Sequence, residues 1–174
     1  HDAQLRIEGE GAKHLGHLFD YDSMISDGIN CEVPMLYYSS DMELVWSEGH
    51  GGRAMSELLN RTITSANKSL TFVTPYFMPD RRVIKELSDV VTRGVEVRVM
   101  VPERCDVWIL NNIMRSRIAE AVNLGIEMRL YRGGFVHAKM AVVDEDSVVV
   151  GSANLDARSI NLNREIMAVT SNRD

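Results

Sequence analysis

The sequence is poor in cysteine, has no long apolar run and carries no surplus of positive charge. Its two cysteines, Cys31 and Cys105, stand far apart at no metal-ligand spacing. That excludes a disulfide-stapled scaffold and predicts two free thiols suited to a reducing compartment. No stretch approaches the about 20 apolar residues that a membrane-crossing helix needs, and no signal-peptide pattern opens the chain. The net charge of −6 and the isoelectric point near 5.4 weigh against a nucleic-acid partner, whose phosphates favour basic surfaces. What remains is a chain of 174 residues, 45% hydrophobic and 25% charged. It suits one globular domain with a real core.

Residues 1 to 8 read as a short strand with Leu5 and Ile7 on one face. Ala12, Leu15, Leu18 and Phe19 then recur at helical spacing. Residues 24 to 41 are mixed and read as a connector. Met42 to Trp46 predicts a strand, and Ser47 to Gly52 a flexible loop in which His50 is exposed. Met55, Leu58, Leu59, Ile63 and Ala66 form a helical core stripe. Leu70 to Thr74 reads as a buried strand ending at Pro75. Tyr76 and Phe77 follow at its C-terminal end, the edge of an α/β sheet where ligands lie. Asp80 reads as the N-cap of a helix carrying Val83, Ile84, Leu87, Val90 and Val91, which Gly94 stops. Val95 to Val101 alternates as a strand, a helix runs from about Val107 to Leu124, and Ile126 to Tyr131 is a further strand. Strand and helix in alternation predict an α/β fold, with a mixed β-sheet sandwiched by helices.

The chain is organised around residues 135 to 165, FVHAKMAVVDEDSVVVGSANLDARSINLNRE. Val136 to Val143 reads as a buried strand and Val148 to Val150 as its hairpin partner, joined by the polar turn Asp144 to Ser147. Side chains two apart on a strand share a face and lie roughly 6.6 Å apart, so His137 and Lys139 can grip one small anion together. Each signal alone is ordinary: a histidine in an apolar strand is commonly a core residue, and Gly151-Ser152-Ala153-Asn154 is commonly a turn. Jointly they are not, because two polar groups on one face of a buried strand cost stability that a bland fold has no use for. Asp144 stands at an odd separation from His137 and so points to the other face. That parity predicts a structural role, bonding its turn or a neighbouring cation.

The spacing His137-x-Lys139-x4-Asp144-x6-Gly151-Ser152-x-Asn154 resembles, at every position, the HKD signature of the phospholipase D superfamily. Thr74-Pro75-Tyr76-Phe77-Met78-Pro79-Asp80, Arg93-Gly94-Val95-Glu96-Val97-Arg98, and Asn154-Leu155-Asp156-Ala157-Arg158-Ser159 followed by Leu162-Asn163-Arg164-Glu165 look more specifically like bacterial cardiolipin synthases. The opening HD-x-x-LRIEG is similar to the tail of the first of two homologous halves in that family. With no Met at its start, the chain reads as part of a longer protein. The expected division is therefore residues 1–40 as the end of a first half plus connector, and residues 41–174 as a second phospholipase D-like domain, one half of a pseudo-two-fold pair.

That resemblance implies phosphatidyl transfer: cardiolipin synthesis from phosphatidylglycerol through a phosphohistidine. The expected catalytic set is His137, Lys139, Asp144 and Glu165, the last orienting His137 from the far ring nitrogen. Lys139, Ser152 and Asn154 would bind the substrate phosphate, with Tyr76 and Phe77 lining the site. No metal or other cofactor is implied. The expected partners are a phospholipid, a membrane surface on the cytoplasmic side of a bacterial inner membrane, and a second HKD-bearing half from the same chain or a homodimer; nucleic acid is not expected. The alternatives are a phospholipase D-type hydrolase or homodimeric endonuclease, and a non-catalytic half that completes a partner.

Overall fold

The protein is described by a computed structural model over residues 2–29, 37–39, 41–49 and 53–171. Cys31 and His50 lie outside these residues. Fifteen elements follow in chain order among them: α1 (Glu10–Ser26), β1 (Tyr37–Tyr38), β2 (Met42–Glu48), α2 (Ala54–Ser65), β3 (Ser69–Val73), β4 (Phe77–Met78), α3 (Arg81–Thr92), β5 (Glu96–Pro102), α4 (Leu110–Asn123), β6 (Glu127–Tyr131), β7 (Met140–Val143), β8 (Ser147–Gly151), β9 (Leu155–Asp156), α5 (Ala157–Asn161) and β10 (Arg164–Ser171).

Eight strands make one mixed sheet in the order β1-β2-β10-β8-β7-β3-β5-β6. β3, β5 and β6 are parallel, joined by α3 and α4, whereas β7, β8, β10 and β2 run antiparallel to their neighbours. On β3 and β5 one face is closed by Leu70, Phe72, Val97, Val99 and Val101, which join Leu58 and Ile63 of α2, Val83, Leu87 and Val90 of α3, and Met114 and Ala121 of α4 in a single core. On β2 neighbouring residues point to opposite faces: Val45 enters that core, while Trp46 meets Leu18 and Tyr21 of α1 on the other side. Helices therefore cover both faces of the sheet, as the alternating pattern predicts. Asp80 does cap α3, its carboxylate accepting the Val83 amide at 2.9 Å.

Three expectations give way. Residues 2 to 8 form neither helix nor strand; Leu5 is 41% exposed, and a strand without a pairing neighbour has nothing to hold it. The strand expected from Val136 begins only at Met140, the first residue opposite β3 (Val73 with Met140). Residues 135–139 are irregular, with Val136 and Ala138 buried. Phe77 does not line a site: it is fully buried in the core, in β4, which pairs with β9.

The direction of the strands decides where the motif residues sit. β3 and β5 end at the same edge of the sheet, β7 and β10 begin there, and β8 ends there, with Gly151 donating its amide to the Lys139 carbonyl at 3.1 Å. The loops at 74–79, 103–109, 132–139 and 151–154 thus share one edge.

Candidate active site

The extended run into β7 places His137 and Lys139 side by side. Lys139 Nζ lies 2.8 Å from His137 Nε2 and donates to the His137 carbonyl at 2.7 Å. An ammonium has no acceptor, so Nε2 accepts, which leaves the ring proton on Nδ1. Nδ1 faces Asp2, whose Oδ1 is 3.7 Å away. Both side chains are about half exposed, His137 at 52% and Asp2 at 53%. A small open groove collects Asp2, His137, Lys139, Gly151 and Ser152. Burial pushes the Lys139 pKa below its ordinary 10.5, against the pull of the Asp2 and Glu165 carboxylates.

Gly151 has a steric reason to be glycine. A Cβ there would stand 2.1 Å from the Ile166 carbonyl oxygen and 2.8 Å from Met167 Cα. β10 can approach β8 at the mouth of the groove only because no side chain intervenes.

Ser152 and Glu165 are tied to each other. The Ser152 hydroxyl donates to Glu165 Oε2 at 2.5 Å and accepts from the Ile166 amide at 3.0 Å, while Asn163 donates to Glu165 Oε1 at 3.1 Å. Glu165 therefore does not make the expected bond to His137; the carboxylate that faces the far ring nitrogen is that of Asp2, at 3.7 Å. Nor is the Ser152 proton free for a phosphoryl oxygen. Asn154 borders a separate, mostly apolar cavity with Phe72, Thr74 and Leu155 rather than the groove, and its Oδ1 is buried without a partner.

Asp144 lies at the opposite end of β7. Its carboxylate accepts the backbone amides of Asn67, Lys68 and Ser69 at 2.9, 2.7 and 2.9 Å. Partial burial raises its pKa, but these N–H groups outweigh it and the net shift is downward. The residue bonds the entry to β3 and not its own turn. It also adopts φ 54°, with Glu145 at 66°, a left-handed geometry that Asp tolerates better than most residues.

Tyr76 stands one layer behind the groove. Its hydroxyl donates to Asp106 at 2.7 Å, and its ring meets Phe135, whose ring lies 5.9 Å from that of His137. The bond to Asp106 and burial push the Tyr76 pKa up to about 12. Thr74 and the 154–159 run are explained together: the Leu155 amide donates to Thr74 Oγ1 at 3.2 Å, and Asp156 caps α5 through the Arg158 and Ser159 amides. Asp2 and Asp106 are the residues that sequence reasoning missed, because no short spacing links either to its partner.

The family described as "Cardiolipin synthase, PLD-like domain" matches residues 59–174. The chain belongs to this family. This cardiolipin synthase-type domain is 36% identical to the probable cardiolipin synthase YwiE of Bacillus subtilis, over 95% of the chain and 34% of that protein. It is 31% identical to the cardiolipin synthase of Alkalihalophilus pseudofirmus, over 96% of the chain and 35% of the relative. The chain thus spans about a third of the length of the curated relatives it matches. Among solved structures it resembles Nuc, a phospholipase D family member from Salmonella typhimurium, with TM-score 0.61 and 27% identity over 75% of this chain and 82% of that one. A phosphatidylserine synthase from Haemophilus influenzae shares the fold, with TM-score 0.65 at 16% identity over 96% of this chain and 43% of that one.

Proposed function

We propose that the domain is the second catalytic half of a bacterial phosphatidyltransferase that makes cardiolipin from phosphatidylglycerol. The observation that carries this reading is the 2.8 Å pairing of His137 Nε2 with Lys139 Nζ at an open groove. A neutral imidazole with its lone pair on Nε2 is a nucleophile near pH 7. A phosphate entering the groove takes Lys139 as counter-charge, freeing Nε2 to attack. The N–P bond forms, the P–O bond to glycerol breaks, and an acid protonates the departing alkoxide. The hydroxyl of a second phosphatidylglycerol then attacks phosphorus and gives its proton to the conjugate base of that acid, the N–P bond breaks to restore His137, and cardiolipin leaves. This chain supplies one HxK histidine, so the second comes from another half, in the same polypeptide or a partner copy. Residues 1–40 then read as the tail of the first half, handing Asp2 across to His137.

In this scheme Asp2 fixes the His137 tautomer and Lys139 binds the phosphoryl oxygens. Glu165, held by Ser152, maintains the charge of Lys139, and Asp144 secures the hairpin. The site would work at the cytoplasmic surface of the inner membrane.

The test is to incubate the complete protein with phosphatidylglycerol vesicles, with and without a chelator, and to separate the lipids. Cardiolipin plus glycerol, unaffected by the chelator, is the expected result. Phosphatidic acid alone would replace transfer with hydrolysis. No lipid product from folded, complete protein would sink both readings.

A further inference from the structure

The turn between β5 and α4 projects apolar side chains into solvent. Trp108 is 82% exposed, Ile109 65%, Ile113 48% and Val107 41%. Ile109 and Ile113 are four residues apart and share one helical face, so with Trp108 they form one continuous patch. A flexible turn would fold such groups inward, but this one is held outward. Cys105 N–H donates to Asn111 Oδ1 at 3.0 Å, Asn111 Nδ2 to the Trp108 carbonyl at 3.2 Å, and Leu110 N–H to the Val107 carbonyl at 3.0 Å. Asp106, between the patch and the groove, is fixed by Tyr76. The patch therefore stands on the same sheet edge as His137, in rigid connection with it.

Its surroundings say what covers it. Arg104 and Arg115 are exposed and flank the patch in the chain, and neither pairs with a carboxylate among the described residues. Two unpaired cations therefore stand near the Trp-Ile tip of an acidic chain, while the neighbouring carboxylates are engaged, Glu103 with Arg132 and Asp106 with the Tyr76 hydroxyl. Tryptophan and aliphatic side chains seat at the boundary between headgroups and acyl chains, and neighbouring arginines add attraction to anionic lipid. Among the described residues no helix is long and apolar enough to cross a membrane. Chemistry on a diacyl lipid needs the groove brought to the lipid surface.

We infer that Trp108, Ile109 and Ile113 form a docking face that inserts into an anionic bilayer and sets the His137 groove against the headgroup layer. The inference rests on the reading of the substrate as a phospholipid. The complete protein is mixed with vesicles of phosphatidylglycerol whose acyl chains carry bromine, and tryptophan emission is compared between the unaltered protein and Trp108→Phe. The expected result is a quenched component that Trp108→Phe removes, weaker on phosphatidylcholine vesicles. Identical quenching in both proteins would overturn the inference and point to a protein surface over the patch. The double variant Trp108→Ser/Ile109→Ser should lose roughly tenfold or more of its turnover on vesicles, yet keep its turnover of short-chain, monomeric phosphatidylglycerol. An equal fall on both substrates would also overturn the inference. Quenching without turnover of either lipid would sustain the docking face and sink the phosphatidyl-transfer reading instead.

Discussion

The two ends of strand β7 carry residues of one short motif and treat them in opposite ways. At the Asp144 end each backbone amide of residues 67–69 meets the carboxylate, and the local polar groups are satisfied. At the His137 end, among the described residues, the polar partners of the imidazole and ammonium are each other, the His137 carbonyl and a distant Asp2 oxygen. Lys139 to Asp144 spans roughly 16 Å at about 3.3 Å per residue. Under the proposed function, a motif that reads as one unit along the chain is thus a reactive end and a structural end in space. The first keeps hydrogen-bonding capacity open for a ligand and the second uses it up.

The largest effect expected from breaking this contrast is at the reactive end. His137→Ala in the complete protein should lower transfer by roughly 10³-fold or more, with its melting temperature nearly unchanged. Activity within tenfold of the unaltered protein would remove His137 from the chemistry. Next comes the wall of the groove. Gly151→Ala forces a methyl group onto the β10 backbone and should cost about 1–3 kcal/mol of stability or more, read by denaturant unfolding; a neutral result would refute the close approach.

Asp144→Asn sharpens the contrast from the other end. It leaves one oxygen for three amides and removes a charge that strengthens them, and should cost about 1–2 kcal/mol while kcat of the folded fraction holds. A loss of kcat at unchanged stability would make Asp144 a member of the reactive end. Because its folded pKa lies below the unfolded value, its contribution is complete above the unfolded pKa and is lost as pH falls through the folded pKa. Asp144→Asn should therefore flatten the acid limb of the stability profile. The smallest effect concerns Lys139, the phosphate ligand of the proposed scheme. Burial depresses its pKa, so the alkaline fall in activity should begin below pH 10.5 and vanish as a separate limb in Lys139→Arg, whose guanidinium does not titrate. A limb unchanged in that variant would assign it to another group.

The sheet and its helices were legible because periodicity reports which face is buried, and Leu58, Val83, Leu87 and Val99 all enter the core as read. The structural reading of Asp144 rested on strand parity from His137, which the irregular run 135–139 does not carry; its position comes instead from the β7–β8 turn and the amides at 67–69. Residues 2 to 8 were misread because alternation cannot say whether a neighbouring strand exists. Phe77 was misread because a position after a strand looks like a site edge until β4 pairs with β9. Glu165 carries a carboxylate on the expected strand, but which of Ser152 and His137 it meets is decided by the approach of β10 to β8. The Asp2–His137 and Tyr76–Asp106 pairs join residues far apart in the chain; only the folded chain brings them together.

Asp2 belongs to a segment with no regular structure, and the next element, α1, is held to the sheet by Leu18 and Tyr21 on Trp46 and by the 3.2 Å ion pair of Asp22 with Arg164. The carboxylate that the proposed scheme sets against the His137 ring is therefore carried by a clamp fastened to a small peripheral hydrophobic cluster, apart from the main core. On heating, a weakly anchored unit detaches before the body of a fold. The protein would then lose the carboxylate facing His137 while its sheet remains intact, and heat inactivation would run ahead of the loss of circular dichroism. Coincident curves would show that α1 and the sheet melt as one.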